Sequence, residues 1–189
     1  MFERFTKDAR ALVEGAVVHS ERTGAETVEE EHLLLALLDR EAGRASFALA
    51  SLGLTADRRE SVERSLAEAR RRGGLSRADA HALSGLGIDL SEIVSRVEEA
   101  HGEGVLAPRR RAGGRWAKRR PFAEGAKGTV VRSLRMAVAR HDRRVGDEHF
   151  LLALTVRPGV PAEVLADHGV TYEKVTRVLY GDGGAAKAG

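Results

Sequence analysis

Two Glu-His pairs, Glu31-His32 and Glu148-His149, are the residues whose types and spacing could do chemistry. A carboxylate beside an imidazole can ligate a metal or move a proton. Each pair stands at the head of an apolar run, EEEHLLLALL and GDEHFLLAL. Neither run has the second His four residues on that a zinc-binding helix needs, and the chain has no cysteine to complete a ligand set. The imidazoles therefore read as hydrogen-bonded, partly buried structural groups. No Ser or Thr sits in a nucleophile-elbow pattern. No enzymatic activity and no cofactor is expected. Glu31 and Glu148 fall in the first turn of their helices, where a carboxylate also stabilises the helix dipole.

The elements that carry these pairs are copies of one another. Residues 5–37 align with residues 122–154 without a gap, at an offset of 117. Within the densest stretch, VEEEHLLLAL at 28–37 and VGDEHFLLAL at 145–154, seven of ten positions are identical. The match continues, shifted by one residue, in LASLGLT at 49–55 and LADHGVT at 165–171. A repeat of this kind predicts two helical units packed about a pseudo-two-fold axis. In the first unit Ala9, Leu12, Val13, Ala16 and Val17 recur at helical spacing, with Thr6 as N-cap. Thr27 and Glu30 have capping-box spacing ahead of a second helix whose body, 33–38, is apolar all round and so central. A third helix over about 44–52 stops at Gly53, and Thr55 caps a fourth running to about 70. The second unit repeats the plan, with Gly169 and Thr171 as stop and start and Pro158 and Pro161 in the loop before its third helix.

The predicted organisation is repeat 1 over 1–70, a helical insert and basic linker over 71–120, repeat 2 over 121–180 and a disordered tail over 181–189. The insert should hold a short helix capped by Ser76 and a second capped by Asp89, with Leu90, Ile93, Val94 and Val97 on its apolar face. Residues 109–120, RRRAGGRWAKRR, contain seven cations in twelve positions. This run reads as a solvated linker, or as a surface for nucleic acid or an acidic protein. Hydrophobic residues make up 42% and net charge is +3, as in ordinary soluble proteins. No apolar run approaches the roughly 20 residues of a membrane span. The charged start MFERFTKDAR does not resemble a secretion signal. A cytoplasmic location with no membrane partner is the expectation.

MFERFT at the start, EEH followed by LLLALL, and the LASLG stop resemble the Clp N-terminal (Clp repeat) domain, the double repeat that heads the ClpC, ClpA and ClpB unfoldases. The start is most similar to the ClpC branch, and the likeness covers about 1–70 and 121–180. The insert does not match the short linker of typical ClpC N-domains. The resemblance implies an all-α protein of two four-helix repeats. No GxxxxGK[ST] phosphate loop is present, so the expectation is a stand-alone recognition head without the ATPase modules. It further implies binding of client proteins, phosphoarginine-tagged proteins, adaptors and macrocyclic peptide antibiotics, in association with a Clp ATPase or protease or as a decoy for one. By the same resemblance the phosphoarginine site uses Thr6 and Glu31 in the first repeat and Glu148 in the second, where Ala123 replaces the Thr. A carboxylate matches the planar fork of a guanidinium, and a helix N-terminus with a hydroxyl suits a phosphate. The loss of the hydroxyl at Ala123 predicts a weaker second site. Glu29 and Glu30 stand where the family has Gly-Thr, and their charge would repel a phosphate. Phe2, Phe122 and Lys127 match positions lining the macrocycle groove, although both Phe side chains also suit the core.

The alternative is a nucleic-acid-binding accessory protein that uses residues 70–72 and 109–120, with Trp116 available to stack.

Overall fold

The computed structural model describes residues 2–102 and 120–181, apart from the side chain of Phe2. Most of the basic run, including Trp116, and the tail beyond residue 181 lie outside the described residues. A 3₁₀ turn, Phe2–Arg4, leads into α1 (Lys7–Thr23), α2 (Glu30–Leu38) and α3 (Arg44–Ser51). A second 3₁₀ turn, Ala56–Arg58, opens α4 (Arg59–Arg71). Then come α5 (Arg77–Gly85), α6 (Leu90–His101), α7 (Glu124–Ala139), α8 (Asp147–Val156), α9 (Val160–Asp167) and α10 (Tyr172–Tyr180). The protein is all-α.

Apolar burial sets the centre. Leu33, Leu34 and Leu37 of α2 are fully buried, as are Phe150, Leu151 and Leu152 of α8. Each such side chain contributes about 1.5–3 kcal/mol relative to exposure. Phe5 meets Phe150 edge-on, with centroids 5.8 Å apart, so the start of one repeat packs on the central helix of the other. The two repeats interlock further through α3 against α8 and α4 against α9.

Short parallel bridges complete the exchange. Phe5 pairs with Val145, and Val28 with Phe122. Thr6 N donates to Val145 O at 2.9 Å, and Ala123 N donates to Val28 O at 3.0 Å. The residue that opens each repeat's first helix therefore lies beside the second helix of the other repeat.

Three local expectations need correction. The cap of α2 is Glu29 rather than Thr27, because the His32 ring accepts the Glu29 N–H at 2.9 Å and fixes the start two residues later. Pro161 is inside the first turn of α9 and buried; a missing N–H costs nothing there. Thr55 makes no side-chain cap and opens the 3₁₀ turn instead.

The insert stands apart from the core. None of its helical residues in α5 or α6 is buried. Ser76 and Asp89 cap these helices through their side chains. α5 is tied to the body at its N-terminus, where the Glu163 carboxylate accepts from Arg77 N at 2.8 Å and Ala78 N at 3.0 Å. Asp167 grips the Arg77 side chain with both oxygens at 2.6 Å.

Candidate functional site

Both Glu-His pairs are built the same way. His32 is fully buried; its Nδ1 accepts from Glu29 N, and its Nε2 faces Thr23 Oγ1 at 3.1 Å. His149 is equally buried, with Nδ1 accepting from Gly146 N at 3.0 Å and Nε2 donating to Asp142 Oδ2 at 3.0 Å. Each Nδ1 lone pair is thereby committed to a helix start. Burial, reinforced by Arg70 and other nearby cationic groups, pushes the His32 pKa down to about 4. Burial also lowers that of His149, against the pull of Asp142. Both rings are neutral struts at pH 7, which is the structural role their sequence setting suggests.

The neighbouring carboxylates each hold a guanidinium of the same chain. Arg70 Nη1, from α4, lies 3.1 Å from Glu31 Oε1. Arg44 Nη1, from α3, lies 3.0 Å from Glu148 Oε1, and its Nη2 donates to Leu179 O at 3.3 Å. The carboxylates are the inner partners: the Glu31 and Glu148 side chains are 14% and 7% exposed, against 27% for Arg70 and 49% for Arg44. Burial raises the Glu31 pKa, opposed by the charge of Arg70.

The first turn of α8 buries a second acid. Asp147 is 2% exposed and its Oδ2 accepts from Ala45 N at 3.3 Å, so a residue of one repeat caps α3 of the other. Gly43 leaves room for this carboxylate, which a Cβ there would strike. Burial, then a hydrogen bond to Glu148 and its charge, push the Asp147 pKa up to about 6. The equivalent Glu30 takes a different path. It accepts from Thr129 Oγ1 at 2.7 Å and pairs with Arg157 Nε at 3.0 Å. Its charge is therefore compensated and is not a free repulsive group. Gly125 and Gly128, which weaken α7 on propensity alone, make room for this pair: added Cβ atoms would lie 2.7 Å from Glu30 Oε2 and 2.6 Å from Arg157 Nη1.

The repeat pairs Thr6 with Glu31, and Ala123 with Glu148, along the sequence. The bridges regroup them. Thr6 is bonded beside the start of α8, where Glu148 is, and Ala123 beside the start of α2, where Glu31 is. The Thr6 hydroxyl accepts from Ala9 N at 3.1 Å and caps α1, whereas Ala123 begins α7 without a side-chain cap. Phe122 is half-buried against the core and Lys127 is exposed on α7; the Phe2 side chain lies outside what is described. Of the cationic cluster at 70–72, Arg70 is held by Glu31, Arg71 by Glu98 and Arg72 by Glu68. No periodicity in the sequence marks the partners Arg44, Arg70 and Asp147, because each contact joins helices far apart along the chain.

These features define a double-repeat, all-helical protein in which each central helix opens on a Glu-His pair whose imidazole is buried. Residues 4–79 match the family described as the Clp repeat (R) N-terminal domain. Its fold is shared with the N-terminal domain of the caseinolytic protease associated chaperone ClpD from Arabidopsis thaliana, at 18% identity and TM-score 0.55, covering 95% of this chain and 94% of that one. A structure described as a preliminary structural investigation of a malarial protein secretion system matches at 12% identity and TM-score 0.54, over 94% and 92%. Among the described residues no helix is long and apolar enough to cross a membrane.

Proposed function

We propose that this chain is a non-catalytic recognition module that captures proteins through arginine-type groups, phosphorylated arginine included, at Glu31 and Glu148, and so serves a Clp protease system as an accessory or a decoy. The observation that carries this is that each carboxylate already binds a guanidinium of its own chain, at 3.1 and 3.0 Å. A pocket floor that holds Arg70 or Arg44 has the shape and charge to hold a ligand's guanidinium in exchange. Thr6 and the N-terminus of α1, beside the Glu148 end, favour an attached phosphate. The nucleic-acid alternative loses support at residues 70–72, whose cations are engaged internally.

Calorimetric titration with a phosphoarginine peptide and its plain arginine twin tests this reading, on the wild type and on Glu31→Ala and Glu148→Ala. Selective binding of the phosphorylated peptide that either substitution weakens at least about tenfold, the worth of one charge-assisted bond, is the expected result. Absence of binding to both peptides refutes it.

A further inference from the structure

The turn between α7 and α8 runs Arg140-His141-Asp142-Arg143-Arg144. Its counterpart in the first repeat, at the same offset of 117, is Thr23-Gly24-Ala25-Glu26-Thr27. The fold needs no cation at this place, since the first copy closes the same turn without one. Asp142, the only acid of the second turn, is occupied by His149. Arg143 and Arg144 are exposed. Arg140 is half-buried and makes no side-chain hydrogen bond or ion pair to any described residue. Its guanidinium lies instead 3.8 Å from the centre of the Tyr180 ring, and Arg44 lies 5.0 Å from the same centre. Stacking engages the face of a guanidinium and leaves its N–H edge for an acceptor. Glu148 compensates Arg44, but nothing described compensates Arg140.

Two further observations point to a ligand here. The Tyr180 hydroxyl is buried and lacks a hydrogen-bond partner among the described residues, which is costly for a donor unless an acceptor is supplied. Burial pushes its pKa up to about 12, so it stays protonated. His141 holds φ 60, the left-handed conformation that Gly24 occupies at φ 69 in the first repeat. A side chain is thus kept at a position where glycine is the unstrained choice, a pattern that accompanies functional turns.

We propose that Arg140, Tyr180 and Arg44 form an oxyanion site at which a phosphate or carboxylate group of a protein partner docks. The site does not depend on guanidinium capture at Glu31 or Glu148. It gives the Glu148 end of the molecule a preference for anionic partners that the Glu31 end, closed by the turn with Glu26, lacks.

The test follows amide and side-chain NMR signals of the full chain through four titrations. The probes are inorganic phosphate, a short peptide carrying phosphoserine, the same peptide with glutamate, and the same peptide with plain serine. Saturable shifts centred on Arg140 and Tyr180, weakened about tenfold or more in Arg140→Ala but retained in Glu148→Ala, are the expected result. Arg140→Gln, which keeps the stem over the ring, serves if the alanine variant is misfolded. Binding of the phosphoserine peptide alone names phosphate as the source, and equal binding of the glutamate peptide extends the site to carboxylates. The proposal is overturned if no probe saturates, if plain serine binds as well as the charged peptides, if shifts are confined to residues 109–119, or if removing the Arg140 charge leaves affinity unchanged. Failure of the phosphoarginine titration with success here would reject guanidinium capture and leave the oxyanion site standing.

Discussion

Asp147→Asn should make the protein more stable at neutral pH, although it removes a charge from the heart of the site. Asp147 is 2% exposed, and its pKa rises from 3.8 to about 6, chiefly through burial and secondarily through Glu148. The folded-state value lies above the unfolded one. Between about pH 4 and 6 the native state therefore binds the proton more tightly, and stability falls as pH rises through that window. A shift of about two units corresponds to about 3 kcal/mol, present below the unfolded pKa and lost above the folded one. An asparagine at position 147 keeps an oxygen for Ala45 N and offers Glu148 an N–H in place of the acid proton. It needs no ionisation on the alkaline side. Urea unfolding followed by circular dichroism at pH 4 and pH 8 should show little difference at the lower pH and a gain approaching about 3 kcal/mol at the higher. A variant no more stable than wild type at pH 8, or a gain equal at both pH values, would refute the argument that an unfavourable buried charge is what Asp147 contributes.

Other outcomes follow from the caps and turns. Thr6→Ala should cost about 1 kcal/mol, and Ala123→Thr should recover a similar amount in the second repeat, since the two positions share φ −63 and ψ values of 167 and 164; urea midpoints will tell. His141→Gly should raise stability by about 1 kcal/mol in the same assay, because it relieves a left-handed side-chain residue. Glu163→Gln should speed amide exchange at Arg77 and Ala78 while the core amides of α2 and α8 keep their protection, since the carboxylate ties down only the insert.

The sequence carried the helices and the core well, for a physical reason. Leu33 to Leu37 and Leu151 to Leu154 are apolar all round, and only a central helix satisfies that pattern. Gly53, Ser76, Asp89 and Thr171 punctuate helices by local backbone and hydrogen-bond preferences that need no tertiary information. α2 starts later than its sequence predicts because an imidazole, His32, does what Thr27 and Glu30 could do by spacing alone. The partners at the candidate site were invisible for a different reason. Arg44 and Asp147 act across the repeats and Arg70 between two helices of the first repeat, at separations of 104, 102 and 39 residues from their partners, and no periodicity encodes a pairing at that range.

The cross-over between repeats decides which end of the molecule should bind better. By position in the sequence Glu31 is the favoured end, because Thr6 belongs to the same repeat. The bridge from Thr6 to Val145 gives that hydroxyl to the Glu148 end instead, together with the N-terminus of α1. Displacement is also easier there. Arg44 is 49% exposed over a carboxylate that is 7% exposed, so it can swing into solvent and uncover a desolvated acid. Arg70 is only 27% exposed over Glu31, and the start of α2 also carries Glu29. A guanidinium entering at Glu148 loses little by the departure of a half-solvated side chain, because an exposed arm of an ion pair is worth at most about 1 kcal/mol. Glu148→Ala should therefore weaken a phosphoarginine peptide more than Glu31→Ala does, and Arg44→Ala should strengthen it by removing the internal competitor. The reverse order in the titration would mean that the internal arginines are fixed struts rather than exchangeable occupants.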